Sequence, residues 1–376
     1  MKISILQEKI KKGLNITERV SLKSLTLPIL NNVLISGEKS FLKLSTTDLE
    51  MGINWWSLAK IEKEGNLTIP SRLLLNFINL LPNKKIDLIK KGNDLNIECN
   101  NYNTKIKGFP PEEFPIIPKI GKEESVSVKN IDFCKGLSQL VDIAVSSTTR
   151  PEISGVYFNF KKDLITTAAT DSFRLGEKTI SLKGAEGLSK EYSLIIPQKT
   201  IKEVINIFGE EQGEMKIYFS PNQIMFESLM QETNHPEIQI VSRLIEGEYP
   251  NYTEIIPKKF TSQLRLNKEE FINQIKSAAL FSGKVNEIKL KVNSQKKQVG
   301  ILSQSPDIGD YKSSISSKIK GEDMTVSFNH RFLLDGLLNI KSSEIILDLN
   351  GDSGPGVLRP VGDDTYLYVV MPIKST

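Results

Sequence analysis

The chain has 376 residues, 39% hydrophobic and 25% charged, with a formal net charge of +4. That length allows two or three domains at roughly 100–200 residues each, and no apolar run approaches the ~18 residues a membrane span needs. The opening MKISILQEKI turns charged too early for a signal peptide, and with only Cys99 and Cys134 a reducing, cytoplasmic setting with two free thiols is expected.

In chain order, residues 6–20 carry a weak helical stripe of Leu6, Ile10, Leu14, Thr17 and Val20, interrupted by Gly13. Then come two β-rich runs around a polar turn, LPILNNVLISGEKSFLKLSTTDLEMGI, at 27–53. The stretch LTIPSRLLLNFINLLP (67–82) reads as a strand running into a helix that Pro82 stops. KKIDLIKKGNDLNIEC is a further strand pair turning at Asn-Asp, and IKGFPPEEFPIIP (106–118) ends the segment.

The same order then returns. KNIDFCKGLSQLVDIAV places Phe133, Leu137, Leu140, Val141 and Ala144 on one helical face. RPEISGVYFNFKKDLITTAATDSFRLGE (150–177) repeats the strand pair, and LIIPQKTIKEVINIFG (194–209) the strand and helix, stopped by Gly209. GEMKIYFSPNQIMFESLM turns at Pro-Asn, and VSRLIEGEYPNYTEIIP (241–257) closes the copy. A third, more diverged copy runs through NKEEFINQIKSAAL, VNEIKLKVNSQKKQVGILSQSPDIGD (285–310), VSFNHRFLLDGLLNIK (326–341), SEIILDLNGDSGPGVL and LYVVMPI (367–373). Three α+β domains of one design are therefore expected, at 1–122, 123–245 and 246–376. A repeat this long exceeds the ~20–50 residues of solenoid arrays. Helices with one apolar face must lie on the sheets and turn the other face outward.

The windows 7–23, 72–85, 131–145, 199–208, 268–284 and 330–341 hold 16 Lys/Arg and 8 Asp/Glu, against 33 and 37 in the rest of the chain. Basic helices can meet phosphates without reading bases; solvated helix faces explain the same lysines. No helix-turn-helix, zinc-finger or aromatic RNA-binding signature is present, so any contact to nucleic acid should be sequence-independent.

Signals of catalysis are absent. The two histidines, His235 and His330, have no metal-ligand spacing and are expected in surface or capping roles. There is no phosphate-binding loop, no strand-linked G-x-G-x-x-G and no G-x-S-x-G; GDSGPG (351–356) reads as a turn. Asp48 and Asp171 recur in TTDLEMG and ATDSFRLG, where a carboxylate bonding nearby backbone amides outranks an acid–base pair. No cofactor or metal is expected.

With the repeat complete, TLPILNNVLI, TTDLEMGI, TIPSRLLL, PPEEFP, AATDSFRLG, IIPQKTI, LIEGEYPNYTEIIP and YLYVVMPI follow one another between residues 26 and 373. In that order they resemble the bacterial DNA polymerase III beta subunit, the beta sliding clamp. The resemblance implies three clamp-type domains per subunit and two crescent subunits closing head to tail into a ring. Helices would lie inside, sheets outside, and edge strands would pair across subunits. It implies a non-catalytic processivity factor that encircles duplex DNA. Its partners would be the polymerase III catalytic subunit, the clamp loader and other proteins carrying clamp-binding peptides.

The peptide cleft so implied comprises Ile153, Thr170, Ser172, Phe173, Arg174, Leu175, Pro250, Ile255, Asn329, Phe332, Val369, Val370, Met371, Pro372 and Ile373. DNA-facing residues would be Lys9, Lys12, Arg19, Lys23, Arg72, Lys199, Lys202, Lys276 and Arg331, and the subunit border would use Thr104, Ile106, Leu280 and Phe281. Departures from the family pattern are Ser172 for a common glycine, Phe173 for a common histidine, Glu254 where some members are basic, and Lys374 for a frequent arginine. The alternative is a monomeric three-domain adaptor that binds peptides without encircling DNA; a DNA-processing enzyme using Asp48 or Asp171 is the weaker third reading.

Overall fold

The computed structural model describes every residue except 22–26, 183–187, 189, 375 and 376. Its elements repeat. The first copy runs β1 (Lys2–Leu6), α1 (Gln7–Thr17), β2 (Asn32–Glu38), β3 (Phe41–Thr47), β4 (Met51–Leu58), β5 (Lys60–Lys63), β6 (Gly65–Pro70), α2 (Ser71–Leu80), β7 (Lys85–Lys91), β8 (Asp94–Cys99) and β9 (Tyr102–Lys107). The second runs β10 (Ser125–Lys129), α3 (Asn130–Ser138), β11 (Gly155–Phe160), β12 (Leu164–Thr170), β13 (Arg174–Ser181), β14 (Tyr192–Pro197), α4 (Gln198–Phe208), β15 (Glu214–Ser220), β16 (Gln223–Leu229) and β17 (Pro236–Arg243). The third runs β18 (Ser262–Asn267), α5 (Lys268–Ala279), β19 (Glu287–Asn293), β20 (Gln298–Ser305), β21 (Gly309–Ser316), β22 (Lys318–Gly321), β23 (Met324–Asn329), α6 (His330–Leu338), β24 (Glu344–Leu349), β25 (Gly356–Pro360) and β26 (Tyr366–Val370).

Four local expectations need correcting. Each copy opens with a strand before its first helix; in SVSVK and SQLRLN alternate residues are buried, the period of two of a strand, directly ahead of the helical stripe. The run beginning at Leu27 is not strand at once: Pro28–Asn31 is a 3-10 turn, because proline fixes φ and lacks an amide proton for a ladder. The helix expected at 131–145 stops at Ser138, yet Leu140, Val141 and Ala144 of its stripe are all buried. In the first helix Leu6 is exposed and ends β1. Gly13, which interrupts that stripe, faces Trp55: a Cβ there would lie 2.3 Å from the indole ring. The glycine thus lets α1 settle on β4, and Trp55 is buried beneath it.

Strand pairing follows one rule. Each copy supplies two antiparallel groups, such as β6-β2-β3-β4 and β1-β7-β8-β9. The last strand of a copy then pairs with the fourth strand of the copy before it. β17 pairs with β4, setting Val241 opposite Gly52, and the sheet reads β10-β15-β16-β17-β4-β3-β2-β6. β26 pairs with β13, setting Val369 opposite Leu175, and that sheet reads β14-β11-β12-β13-β26-β25-β24-β18-β22. The remaining sheets are β5-β1-β7-β8-β9 and β21-β20-β19-β23, so β9 and β21 are left as sheet edges.

These pairings explain why the chain packs as two compact units. One holds the described residues of 1–132 and 203–244; the other holds those of 133–182, 190–202 and 245–374. Each border-crossing sheet lies wholly within one unit, and the division falls inside the second copy. In the first unit Ile10, Leu14 and Val20 are buried. In the second, Phe158 stacks on Phe160 at 5.6 Å beside Phe133.

Candidate functional sites

The turn between β12 and β13 is built by its own side chains. Thr170 Oγ1 donates to the Arg174 carbonyl (2.8 Å) and accepts from the Ser172 amide (3.1 Å). Asp171 Oδ1 accepts from the Phe173 and Arg174 amides, both at 2.9 Å. Ser172 takes φ +77°. Asp48 makes the same bonds to Glu50 and Met51, so both aspartates are turn-forming groups, as their surroundings in the sequence imply.

Arg174 leaves this turn fully committed. Its Nε donates to Asp171 (2.9 Å), its Nη1 to Asp335 on α6 and its Nη2 to the Asp142 carbonyl (3.3 Å). Burial alone would lower its pKa; Tyr368 and Asp171 more than offset that and hold it above the ordinary arginine value. The guanidinium lies 5.0 Å from the centre of the Phe332 ring, and Phe173 stacks against Phe332 at 6.2 Å. The tail after β26 is tied to the same place: the Met371 amide donates to the Phe173 carbonyl (2.9 Å) and the Ile373 amide to the Ser327 carbonyl (2.8 Å). Asn329 caps α6 by accepting from the Arg331 amide (3.0 Å).

The expected cleft residues therefore sort by depth. Ile153, Thr170, Leu175, Val369 and Val370 are buried and form a floor, not a lining. Leu175 and Val369 pack with Tyr249 and Tyr252, which anchor the loop carrying Pro250 and Ile255. Burial and the hydrogen bond to Glu177 raise the Tyr252 pKa, so its phenol stays a donor. Phe173 (61% exposed), Ile255 (48%) and Met371 (37%) present apolar surface, with Phe332, Pro372, Ile373 and Pro250 half-buried. Asp335 and Tyr368, which hold Arg174 and the α6 backbone, were not anticipated; Asp335 lies three residues past Phe332 on α6, a spacing that offers a weak signal.

The observed helices are shorter than the charge windows. They hold 10 Lys/Arg and 6 Asp/Glu, so of the chain's 49 and 45 the remainder holds 39 of each. The whole formal excess of +4 thus rides on the helices. Several expected DNA-facing residues are nevertheless engaged. Lys12 pairs with Glu237 (2.9 Å) and Glu211 (3.2 Å), Arg19 with Glu203 (3.6 Å), and Lys202 with Asp142 (2.9 Å). Lys9 is half-buried beside Lys12, Lys199 is exposed at the start of α4, and Lys23 lies outside the described residues. Arg72, Lys276 and Arg331 are exposed and make no ion pair among the described residues.

Of the expected subunit-border residues, Leu280 is 72% exposed and Phe281 stacks on Tyr311 of β21 at 5.8 Å. Thr104 is half-buried on β9, while the Ile106 side chain is buried within its own unit and offers no outer surface. Leu73 and Leu80 on α2 and Val285 and Ile308 near β21 are further exposed apolar groups. His235 is half-buried in its loop and stacks on Phe41 at 3.9 Å, whereas His330 departs from expectation, buried at the start of α6 with Nδ1 unpartnered. Burial, then Arg331, lowers its pKa below 6.5. Cys99 and Cys134 are buried and form no disulfide, and burial pushes the Cys134 thiol up to about 12. Among the described residues no group of three or more His, Cys, Asp or Glu is arranged to hold a metal ion.

Repeated α+β units with strands paired across their borders define the clamp class of fold. Three family models match in series: the DNA polymerase III beta subunit N-terminal domain at residues 1–118, its central domain at 130–251 and its C-terminal domain at 253–374. The chain belongs to the DNA polymerase III beta subunit family, the beta sliding clamps, which are processivity factors and not enzymes. The Beta sliding clamps of Staphylococcus aureus (strain Mu50 / ATCC 700699) and Staphylococcus epidermidis are each 25% identical to it over 100% of both chains. Its fold matches the DNA polymerase sliding clamp of Bacillus subtilis (TM-score 0.93, 24% identity) and a DnaN sliding clamp of Pseudomonas aeruginosa bound to griselimycin (TM-score 0.92, 21% identity), with 100% of each chain covered.

Proposed function

We propose that two copies of this chain close head to tail into a ring around duplex DNA. The observation that carries the reading is the strand-pairing rule. β17 joins β4 and β26 joins β13, and by the same rule β9 is left to join β21 of a second copy. A five-stranded and a four-stranded sheet would then merge into one of nine, the size of the larger internal sheet. Closure would remove both free edges, a general hazard for β proteins. The exposed Leu80 and Leu280 would supply apolar contact beside that seam. Domain borders near 122 and 245 follow from the same repeat.

Inside the ring the helices would face phosphates, with Arg72, Lys276 and Arg331 the groups left for DNA. The surface around Phe173, Phe332, Met371 and Ile255 would take extended peptides from the polymerase III catalytic subunit, the clamp loader and other replication proteins, in the cytoplasm. The test is retention on DNA. A ring stays on circular duplex in high salt and slips off once the circle is cut, whereas phosphate contacts alone weaken steeply with salt on both forms. Equal loss from the two forms, or a monomeric mass at micromolar concentration, would reject the ring in favour of a peptide-binding monomer. Griselimycin, the ligand of the Pseudomonas aeruginosa structure, probes the cleft: it should bind in competition with a clamp-binding peptide.

A further inference from the structure

Residues 115–122, between β9 and β10, cross the first unit as a strap that belongs to no helix or strand. Among the described residues, no backbone amide or carbonyl of 115–122 bonds to another protein group. Pro115 and Pro118 account for part of this: proline has no amide proton, and each favours an extended backbone in the residue before it. The strap is therefore held by side chains alone.

Three of them do the holding. Pairing sets Gly52, Val241, Met225 and Tyr218 in one row across β4, β17, β16 and β15, and the strap lies on that row. Ile117 fills the notch over Gly52, where a Cβ would lie 2.9 Å from it. Ile120 is buried against Tyr218, Met225 and Val241. Lys122 places its ammonium 2.8 and 2.6 Å from the two oxygens of Glu227, one position pair along the same face. Ile116, by contrast, is 93% exposed.

Glu227 is the unusual member of this set. It is 2% exposed, and a charge so deeply buried is costly unless paired. Tyr218 Oη (3.2 Å) and Gln239 Nε2 (2.5 Å) donate to it. Lys122 is its only ion-pair partner among the described residues, and that lysine's side chain is 46% exposed. The ammonium also lies 5.4 Å from the centre of the Tyr218 ring. The sheet thus carries a built acceptor for a cation and two apolar seats, and nothing on it binds the backbone of their occupant. At Lys119 the fit is poorer. Burial lowers the Lys43 pKa, Glu38 opposes this, and the like charge of Lys119 adds to the fall.

We propose that this face of the β4–β17 sheet is a second peptide-binding groove, with the strap as its tethered occupant. It takes an extended segment with aliphatic side chains three residues apart and a lysine two residues beyond, the pattern of Ile117, Ile120 and Lys122. A partner carrying that pattern binds by replacing the strap. It competes with a segment whose tether gives an effective concentration on the order of millimolar. The groove stands whether or not the ring closes.

The probe is a blocked, dye-labelled peptide of residues 115–122, read by fluorescence anisotropy on the intact protein. Ile117→Ser combined with Ile120→Ser weakens the protein's own strap. Saturable binding to that variant is expected, at least about tenfold tighter than to the unchanged chain. Gln in place of the peptide's last lysine should weaken it about tenfold, since Glu227 is then left without a cation. No binding to a variant that still melts cooperatively overturns the proposal, and equal binding of the Gln peptide overturns the role of Glu227. Binding that Phe173→Glu abolishes assigns the peptide to the surface around Phe173 and overturns the groove. If the double variant does not fold, the unchanged chain decides. A glutamate-specific protease, which cannot cut the probe, should nick the chain after Glu123 at least about threefold faster with excess probe. An unchanged rate overturns the proposal.

Discussion

The turns at 47–51 and 170–174 share one backbone and differ in everything their side chains do. In the first, Thr47 Oγ1 bonds the Met51 carbonyl (2.9 Å) and Leu49 takes φ +77°. In the second, Thr170 bonds Arg174 (2.8 Å) and Ser172 takes φ +77°. The strands that follow dock alike: Arg243 N donates to the Glu50 carbonyl as Met371 N does to that of Phe173, each at 2.9 Å. After that the two diverge. Gly52 stands where Leu175 stands, and Ile117 fills the space, so that a Cβ on Gly52 would lie 2.9 Å from it. At the other border Leu175 meets Tyr249, Tyr252 and Val369, while Phe173 and Met371 remain open. A shared local hydrogen-bond pattern thus makes a frame; whether the frame is sealed by its own linker or stays open depends on residues outside it.

Swapping residues between the frames tests this. The largest effect is expected from Leu175→Ala, which opens a cavity under the loop and should cost about 2–5 kcal/mol in denaturant unfolding. Gly52→Leu should cost about 1–3 kcal/mol by overpacking Ile117; no loss would mean that Ile117 does not seal the first border. Phe173→Glu, which installs the residue found at position 50, should weaken peptide capture about tenfold or more and move stability by less than about 0.5 kcal/mol. An equal loss of stability would assign Phe173 to the core.

His330 opens α6 as Ser71 opens α2, and its lowered pKa gives a sign. The unfolded chain takes up a proton near 6.5 while the folded chain resists it, so this contribution is full above pH 6.5 and is lost as pH falls below it. His330→Ser should flatten that slope in pH-dependent unfolding. The smallest effect belongs to Leu49→Gly, which should gain up to about 1 kcal/mol by relieving a left-handed backbone at a bulky residue. A loss instead would show that the half-exposed Leu49 packs more than its surroundings imply.

Much of the architecture was legible because it is local. Helical stripes such as Phe133, Leu137 and Leu140, turns at Asn-Asp and Pro-Asn, and the Thr-Asp frames are set by residues a few positions apart. The cleft was legible only through resemblance. Nothing around Arg174 announces that Asp335, 161 residues later, will claim its charge, which turns an expected peptide contact into a fixed strut under Phe332.

The sequence by itself determined the threefold repeat, the amphipathic helices and the absence of catalytic signatures, since periodicity and turn chemistry are written in neighbouring residues. Only the tertiary structure decided which lysines are spoken for, as Lys12 is by Glu237, 225 residues away. It also decided that β17 seeks β4 and that Ile117 covers Gly52. Such pairs form between surfaces that meet only after each copy has folded, and a contact of that kind leaves no period in the chain to read.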